Sequence, residues 1–316
     1  MISRRLLRVK VLQMLYAFYT SDIKDVNKAE KELHFSVNKS YELYKLLLLL
    51  IIDIRQYAET RIEIARNKLR PSKEDMNPNY QFINNSLIHQ ISENNQLQNY
   101  INTTGISWVK YPVLVKAIYN ELIKSDVYKN YMASGSKSYE EDKRLVSFIY
   151  TDLIICNEDL HHILEEMSIY WNDDTEYIIS MIIKTIKNFK EKDTREKSLL
   201  SLYKNDEDRD FFVQLFRKTI INRDYCLELI KETANNWDVE RIAFLDTLIM
   251  QMAITELMEF QSIPTKVTLN EYLDIAKYYS TEKSNSFING ILDKVLINLR
   301  SDNKINKTGR GLIGEN

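Results

Sequence analysis

Residues 286–296 read SFINGILDKVL. Asn289-Gly290 between apolar residues is the strongest short-range hairpin signal, yet the apolar residues do not alternate. They come in pairs, Phe287-Ile288, Ile291-Leu292 and Val295-Leu296, and pairs recurring every four residues mark one face of a helix. Glycine in a helix interior costs roughly 1 kcal/mol against alanine. A helix that keeps Gly290 at its centre has a use for the missing Cβ, which lets another backbone or a ligand come close. Asn289 beside it carries an amide that can bond a neighbouring loop or a partner.

The preceding residues extend the pattern. Thr268 and Glu271 stand at capping-box spacing, and the helix they predict buries Leu269, Tyr272, Leu273, Ala276 and Tyr279. STEKS at 280–284 is a short turn. Two helices joined so tightly pack on each other or on a shared neighbour.

The rest of the chain is of the same kind. Its 316 residues include six Gly and four Pro, too few turn residues for a many-stranded sandwich or barrel. A 44% hydrophobic content supports a sizeable core. The fold class is therefore all-α. Residues 3–20 form a first helix, 26–69 one or two long helices, and 108–132 further helix. The stretch 70–105, rich in Asn, Pro and Ser, reads as loop around a short helix near 82–92. ASGSKS at 133–138 is a break, KNFKEKDTREK a charged linker, and 301–316 a frayed tail. Residues 142–187 match later residues at an offset of 66, with Asp142 against Asp208, Leu145-Val146 against Phe211-Phe212 and Trp171 against Trp237. A duplicated helical hairpin is one reading, and the general likeness of amphipathic helices is the other.

Several functions find no support. KLLLLLIIDI has seven consecutive apolar residues, far below the roughly 18 of a membrane span, and no secretion signal is recognisable, so a cytoplasmic protein is expected. Cys156 and Cys226 have no metal spacing and read as buried small hydrophobes. Glu158 and His161 make a single E-x-x-H, where a di-metal bundle needs two. No phosphate loop and no nucleophile motif occurs. No catalytic residue, metal site or cofactor is expected, and a binding protein is favoured.

The first helix suggests what is bound. Net charge is −2, so attraction to nucleic acid has to be local. Arg4, Arg5, Arg8 and Lys10 crowd the helix start with no acid before Asp22. Cations there oppose the helix dipole, and a polyanion would turn that penalty into attraction. Leu7, Val11, Met14, Leu15 and Phe18 form the apolar stripe. Gln13 and Tyr16 add an amide for base edges and a ring for stacking, which suits single-stranded RNA. An ordinary solvated basic end is the plain alternative.

Pro264-x-Lys266-Val267-x-Leu269-Asn270-Glu271, Ala276-Lys277 and Phe287-Ile288-Asn289-Gly290-Ile291-Leu292-Asp293-Lys294 together resemble the C-terminal signature of the NusB transcription antitermination family. Arg4-Arg5-x-x-Arg8 and Leu12-Gln13-x-Leu15-Tyr16 resemble its basic first helix, with Leu6-Leu7 thinning the arginine run. Residues 236–257 are similar to its central helix, with Glu240-Arg241 where an acid–base pair is common. The resemblance implies two packed helical subdomains and binding of boxA-type leader RNA. It also implies a partner, the small-subunit ribosomal protein that doubles as NusE, and entry into an RNA polymerase complex that reads through terminators, chiefly on ribosomal RNA operons. It makes Arg4, Arg5, Arg8, Lys10, Gln13, Tyr16, Phe287 and Asn289 the RNA-contact candidates, with Gly290 in a structural role. On this reading 1–22 and 208–300 are the family core, 23–207 is a helical insertion, and 301–316 is a flexible tail. The alternative is a helical protein-interaction module that has lost RNA binding. A NusB-like domain also precedes the α/β domain of RNA cytosine methyltransferases, but no α/β pattern follows the signature here.

Overall fold

The computed structural model describes residues 2–22, 24–135, 138–234 and 242–314, which hold fifteen α-helices and no strand. Their contacts divide the chain into two units. One contains Ile2 and Asn38–Leu202. The other combines Ser3–Val37 with Tyr203–Asn316. The division thus falls at 37/38 and 202/203, whereas the sequence suggested 22/23 and 207/208. The start of the second helix belongs with the family-like ends of the chain.

Helix α1 is Arg4–Thr20, and α2 is a single helix of 41 residues, Val26–Arg66. The unit of 38–202 continues with α3 (Lys73–Met76), α4 (Ser86–Ser92), α5 (Asn95–Thr104), α6 (Pro112–Lys124), α7 (Asp126–Ala133), α8 (Tyr139–Phe148), α9 (Glu158–Met167) and α10 (Thr175–Asn188). The leucine run of α2 is buried, and large side chains close over it. Trp108 donates its indole N–H to the carbonyl of Leu46 at 2.8 Å, and the Tyr150 hydroxyl donates to that of Leu47 at 2.9 Å. Such aromatic groups bury well once their polar tip has a partner. The asparagine-rich stretch is more helical than its composition predicts. Asn85 and Asn94 are buried N-caps, each accepting from the amides that open α4 and α5, and Gly105 ends α5 in the left-handed conformation. Asparagines that read as loop are helix punctuation here.

The other unit adds α11 (Asp206–Ile221), α12 (Arg223–Thr233), α13 (Phe244–Glu259), α14 (Thr265–Tyr279) and α15 (Glu282–Ser301). The first turns of α2 join it through a pair between Glu30 and Arg217 and an edge contact of His34 on Phe212. In α13 every residue from Leu248 to Leu257 is buried, the pattern of a helix enclosed on all sides. Ile288, Ile291, Leu292, Val295 and Leu299 of α15 are buried, so the paired periodicity is a helix face. Glu240, Arg241 and Trp237 lie outside the described residues.

Four expectations are corrected. The tail does not fray at 301. Thr308 donates its amide to the Gln261 carbonyl at 3.0 Å, the Lys307 ammonium reaches the Phe260 carbonyl at 3.0 Å, and Gly309–Leu312 forms a 3₁₀ turn. Gly311 lies so close that a Cβ there would stand 1.9 Å from the Gln261 oxygen. Thr268 and Glu271 form no capping box, because α14 already begins at Thr265 and both side chains turn to other partners. Leu269, Leu273 and Tyr279 are half-buried, while Thr268 and Ile275 are buried. Cys156 is exposed; only Cys226 is buried.

The stretches offset by 66 share a succession of three helices, α8–α9–α10 and α11–α12–α13. Asp142 and Asp208 are both buried but serve differently. Asp142 accepts from the Ser86 amide and the Tyr131 hydroxyl, while Asp208 accepts from Arg4. No helix among the described residues is long and apolar enough to cross a membrane.

Candidate nucleic-acid interface

The two ends of the chain meet. Ser3 caps α1 by accepting from the Leu6 amide, and each arginine that follows reaches residues more than 200 positions away. Arg4 Nε donates to Asp208 at 2.6 Å, with Glu207 3.5 Å from Nη2. Arg5 holds Glu271 through two hydrogen bonds, 3.0 and 2.9 Å, and donates to Asp274 at 2.8 Å. Arg8 grips Glu256 through two more, 2.8 and 2.7 Å, with Glu271 at 3.3 Å. Glu256 also accepts from the Thr268 and Tyr272 hydroxyls, at 2.9 and 3.0 Å. Arg4 and Arg8 both lie 5.2 Å from the centre of the Phe211 ring, within cation–π range.

This geometry sorts the candidate cations. Arg8 is 2% exposed and Glu256 fully buried. Burial alone would push the guanidinium pKa down, but the Glu256 carboxylate outweighs it and holds Arg8 firmly charged. The same burial and the same carboxylate push the Tyr272 hydroxyl well up. Arg8 is thus an internal strut of α1 and has no surface for a phosphate. Lys10 is buried as well, at 2% exposure, and it too leaves the set of surface cations. The cause is that α1 is not amphipathic at its start. Leu6 through Leu12 are buried without interruption. Arg4 and Arg5 remain about one-third exposed. Each sits among carboxylates, so the basic cluster is charge-balanced and is not a bare cationic patch.

Further along α1, Gln13 donates to the Tyr279 hydroxyl at 3.5 Å, which ties α1 to the end of α14. Tyr16 is 47% exposed, its ring 5.7 Å from that of the exposed Phe244. On α15 Phe287 is half-buried while Asn289 and Gly290 are exposed. Beyond the local backbone of α15 and the chain neighbours of Gly290, no described atom lies within 4 Å of where a Gly290 Cβ would stand. No backbone outside α15 therefore needs that glycine among the described residues, and the close approach expected from the sequence is not found there. Two residues that hold the arginines escaped the sequence reading as their partners. Glu256 and Asp208 organise the arginines, and the signal for Glu256 was a lone acid inside the apolar run MQMAITEL. The His161 ring nitrogen lies 2.8 Å from the Ile155 carbonyl, and no group of three or more His, Cys, Asp or Glu placed to hold a metal occurs among the described residues.

The sequence profile of the NusB family matches residues 175–296. A transcription antitermination protein NusB from Salinibacter ruber is 39% identical over 145 residues, covering 91% of that protein and 39% of this chain. The chain belongs to the NusB family. NusB proteins from Chloroherpeton thalassium (38% over 105 residues, 50% of that protein and 33% of this chain) and Thermodesulfovibrio yellowstonii (35% over 126 residues, 79% and 39%) are similar too. No solved structure matches the chain. The NusB match takes in α10–α14 and α15 as far as Leu296. Glu271, in the Leu269-Asn270-Glu271 part of the NusB-like signature, is the residue that holds Arg5 and Arg8 of the first helix. That bond gives a physical reason for the two motifs to occur together.

Proposed function

We propose that the protein is a transcription antitermination factor that binds boxA-type single-stranded leader RNA together with the ribosomal protein NusE, within an RNA polymerase complex acting chiefly on ribosomal RNA operons. The observation that carries this reading is the bond of Arg5 to Glu271 and Asp274. It brings the one-third-exposed arginines of α1 to the helix pair that bears Asn289. Arg4, Arg5, Gln13, Tyr16, Phe287 and Asn289 are the RNA-contact candidates on this reading, and Arg8 and Lys10 support them from within. The carboxylates around Arg4 and Arg5 compete with phosphate, so charge supplies a modest part of the affinity and neutral contacts the rest.

The test is a titration of boxA-type RNA, with and without NusE, across salt concentrations. Binding whose log K falls with log salt, by about 0.7 per phosphate contacted on a single strand, supports the reading. The balanced charge around the arginines favours a second reading, a protein-interaction module without RNA binding. NusE binding with no RNA binding at any salt would select it.

A further inference from the structure

We infer that the unit of 38–202 carries a site for a small organic cation, of the ammonium or guanidinium class, with Asp142 as its counter-charge. The inference goes beyond the RNA-binding reading and does not rest on it. Asp142 of α8 is 6% exposed. It lines a cavity of about 450 Å³ together with Tyr80, Asn84, Ser86 and Tyr131. Its two oxygens accept from the Ser86 amide at 2.7 Å and from the Tyr131 hydroxyl at 2.5 Å. One donor on each oxygen suits the ionised carboxylate, which keeps lone pairs for further donors. Among the described residues no lysine, arginine or histidine nitrogen lies within 4.0 Å of it. The adjacent Lys143 turns to Glu140 and to the Lys187 carbonyl, each at 3.4 Å. A buried carboxylate without a paired cation is costly to keep.

The position matching Asp142 at the offset of 66 shows what is missing. Asp208 is equally buried, at 6% exposure, but it takes Arg4 Nε at 2.6 Å, and that guanidinium lies 5.2 Å from the centre of the Phe211 ring. Asp142 has the carboxylate half of such an arrangement, with a cavity in place of the cation. The cavity also offers aromatic surface from Tyr80 and Tyr131, and ring faces attract cations. Burial first, and then the charges of Asp142 and Glu141, push the Tyr131 hydroxyl well above the usual tyrosine range, so the field at this wall is negative. The Asn84 carboxamide makes no hydrogen bond within the described chain and supplies a further acceptor. The wall is fixed in advance: Asn79 donates to the Met132 carbonyl at 2.7 Å and Gln81 to the Ser134 hydroxyl at 3.0 Å. Small-molecule sites run from roughly 300 to 1,000 Å³, and this one is of that size. One carboxylate among tyrosine rings suits a cation on a carbon stem better than a bare metal ion, which needs several such ligands.

The full chain is titrated with putrescine and with methylguanidine, by calorimetry and by melting temperature, against potassium chloride at equal ionic strength. At least one probe should bind saturably and raise the melting temperature where potassium chloride does not, and the tighter binder fixes the class as ammonium or guanidinium. Asp142→Asn keeps an acceptor for the Ser86 amide and removes the charge. It should melt no lower than wild type without probe and bind the probe about tenfold more weakly. Asn84→Ala, at the exposed rim, should weaken binding about threefold, and it decides the matter if Asp142→Asn loses its fold. Lys137 lies outside the described residues, so Lys137→Gln is titrated alongside and should bind as wild type does. Binding seen only after Lys137→Gln would mean that the chain supplies its own cation, and overturns the proposal. Absence of saturable binding, an effect matched by potassium chloride, or equal binding by wild type, Asp142→Asn and Asn84→Ala overturns it as well.

Discussion

Arg8 and Glu256 form a buried, doubly hydrogen-bonded ion pair across 248 residues of sequence. Breaking such a pair by removing one member leaves the other charge uncompensated, at a cost of about 3–5 kcal/mol. Arg8→Ala should therefore lower the free energy of unfolding by that amount in a denaturant titration. A loss under about 1 kcal/mol would show that the pair does not anchor α1.

Arg4 should behave differently. Glu207 is largely exposed and 3.5 Å from its guanidinium, an arrangement that contributes little to stability. Glu207→Gln should change stability by less than about 0.5 kcal/mol. It should tighten RNA binding, because one competitor for the guanidinium is gone. Equal or weaker binding would place the phosphate path away from Arg4.

The Asp274 carboxyl is held below the usual range, chiefly by the hydrogen bond from Lys277 and with help from Arg5. A group depressed in the folded state stabilises it above the unfolded pKa and loses that effect as pH falls through the folded one. Stability should therefore drop on acidification below about pH 4, the ordinary aspartate range, and Asp274→Asn should flatten that part of the melting-temperature profile. Superimposable profiles would mean the pairing is not maintained in solution.

Gly311→Ala tests the docked tail. The added methyl would meet the Gln261 carbonyl at 1.9 Å, so the segment after Asp302 has to lift away. Limited proteolysis should then cut within 303–314 much faster than in wild type. Equal cleavage rates would show that the tail is loose already.

The helical periodicity of α1, α15 and the leucine run of α2 was legible in the sequence, because it depends on neighbours three and four residues apart. The asparagine-rich stretch was not. Whether Asn94 makes a loop or caps a helix depends on where its side chain points. Thr268 and Glu271 have the spacing of a capping box, yet distant partners claimed both. The arginines show the same limit most clearly. Their charge and order suggested an open cationic face, and the acids that neutralise them sit more than 200 residues downstream. The order of these cations is legible in the sequence; the balance of their charge needed the fold.

That separation also sets an order of events during synthesis. At about 5–20 residues per second, the 248 positions between Arg8 and Glu256 take on the order of ten to fifty seconds to translate. Throughout that interval the earliest helix, rich in buried leucine and valine, has left the ribosome without its counter-charges. Nascent chains stalled before Glu256 should hold α1 as bait for chaperones, and release should coincide with emergence of α13.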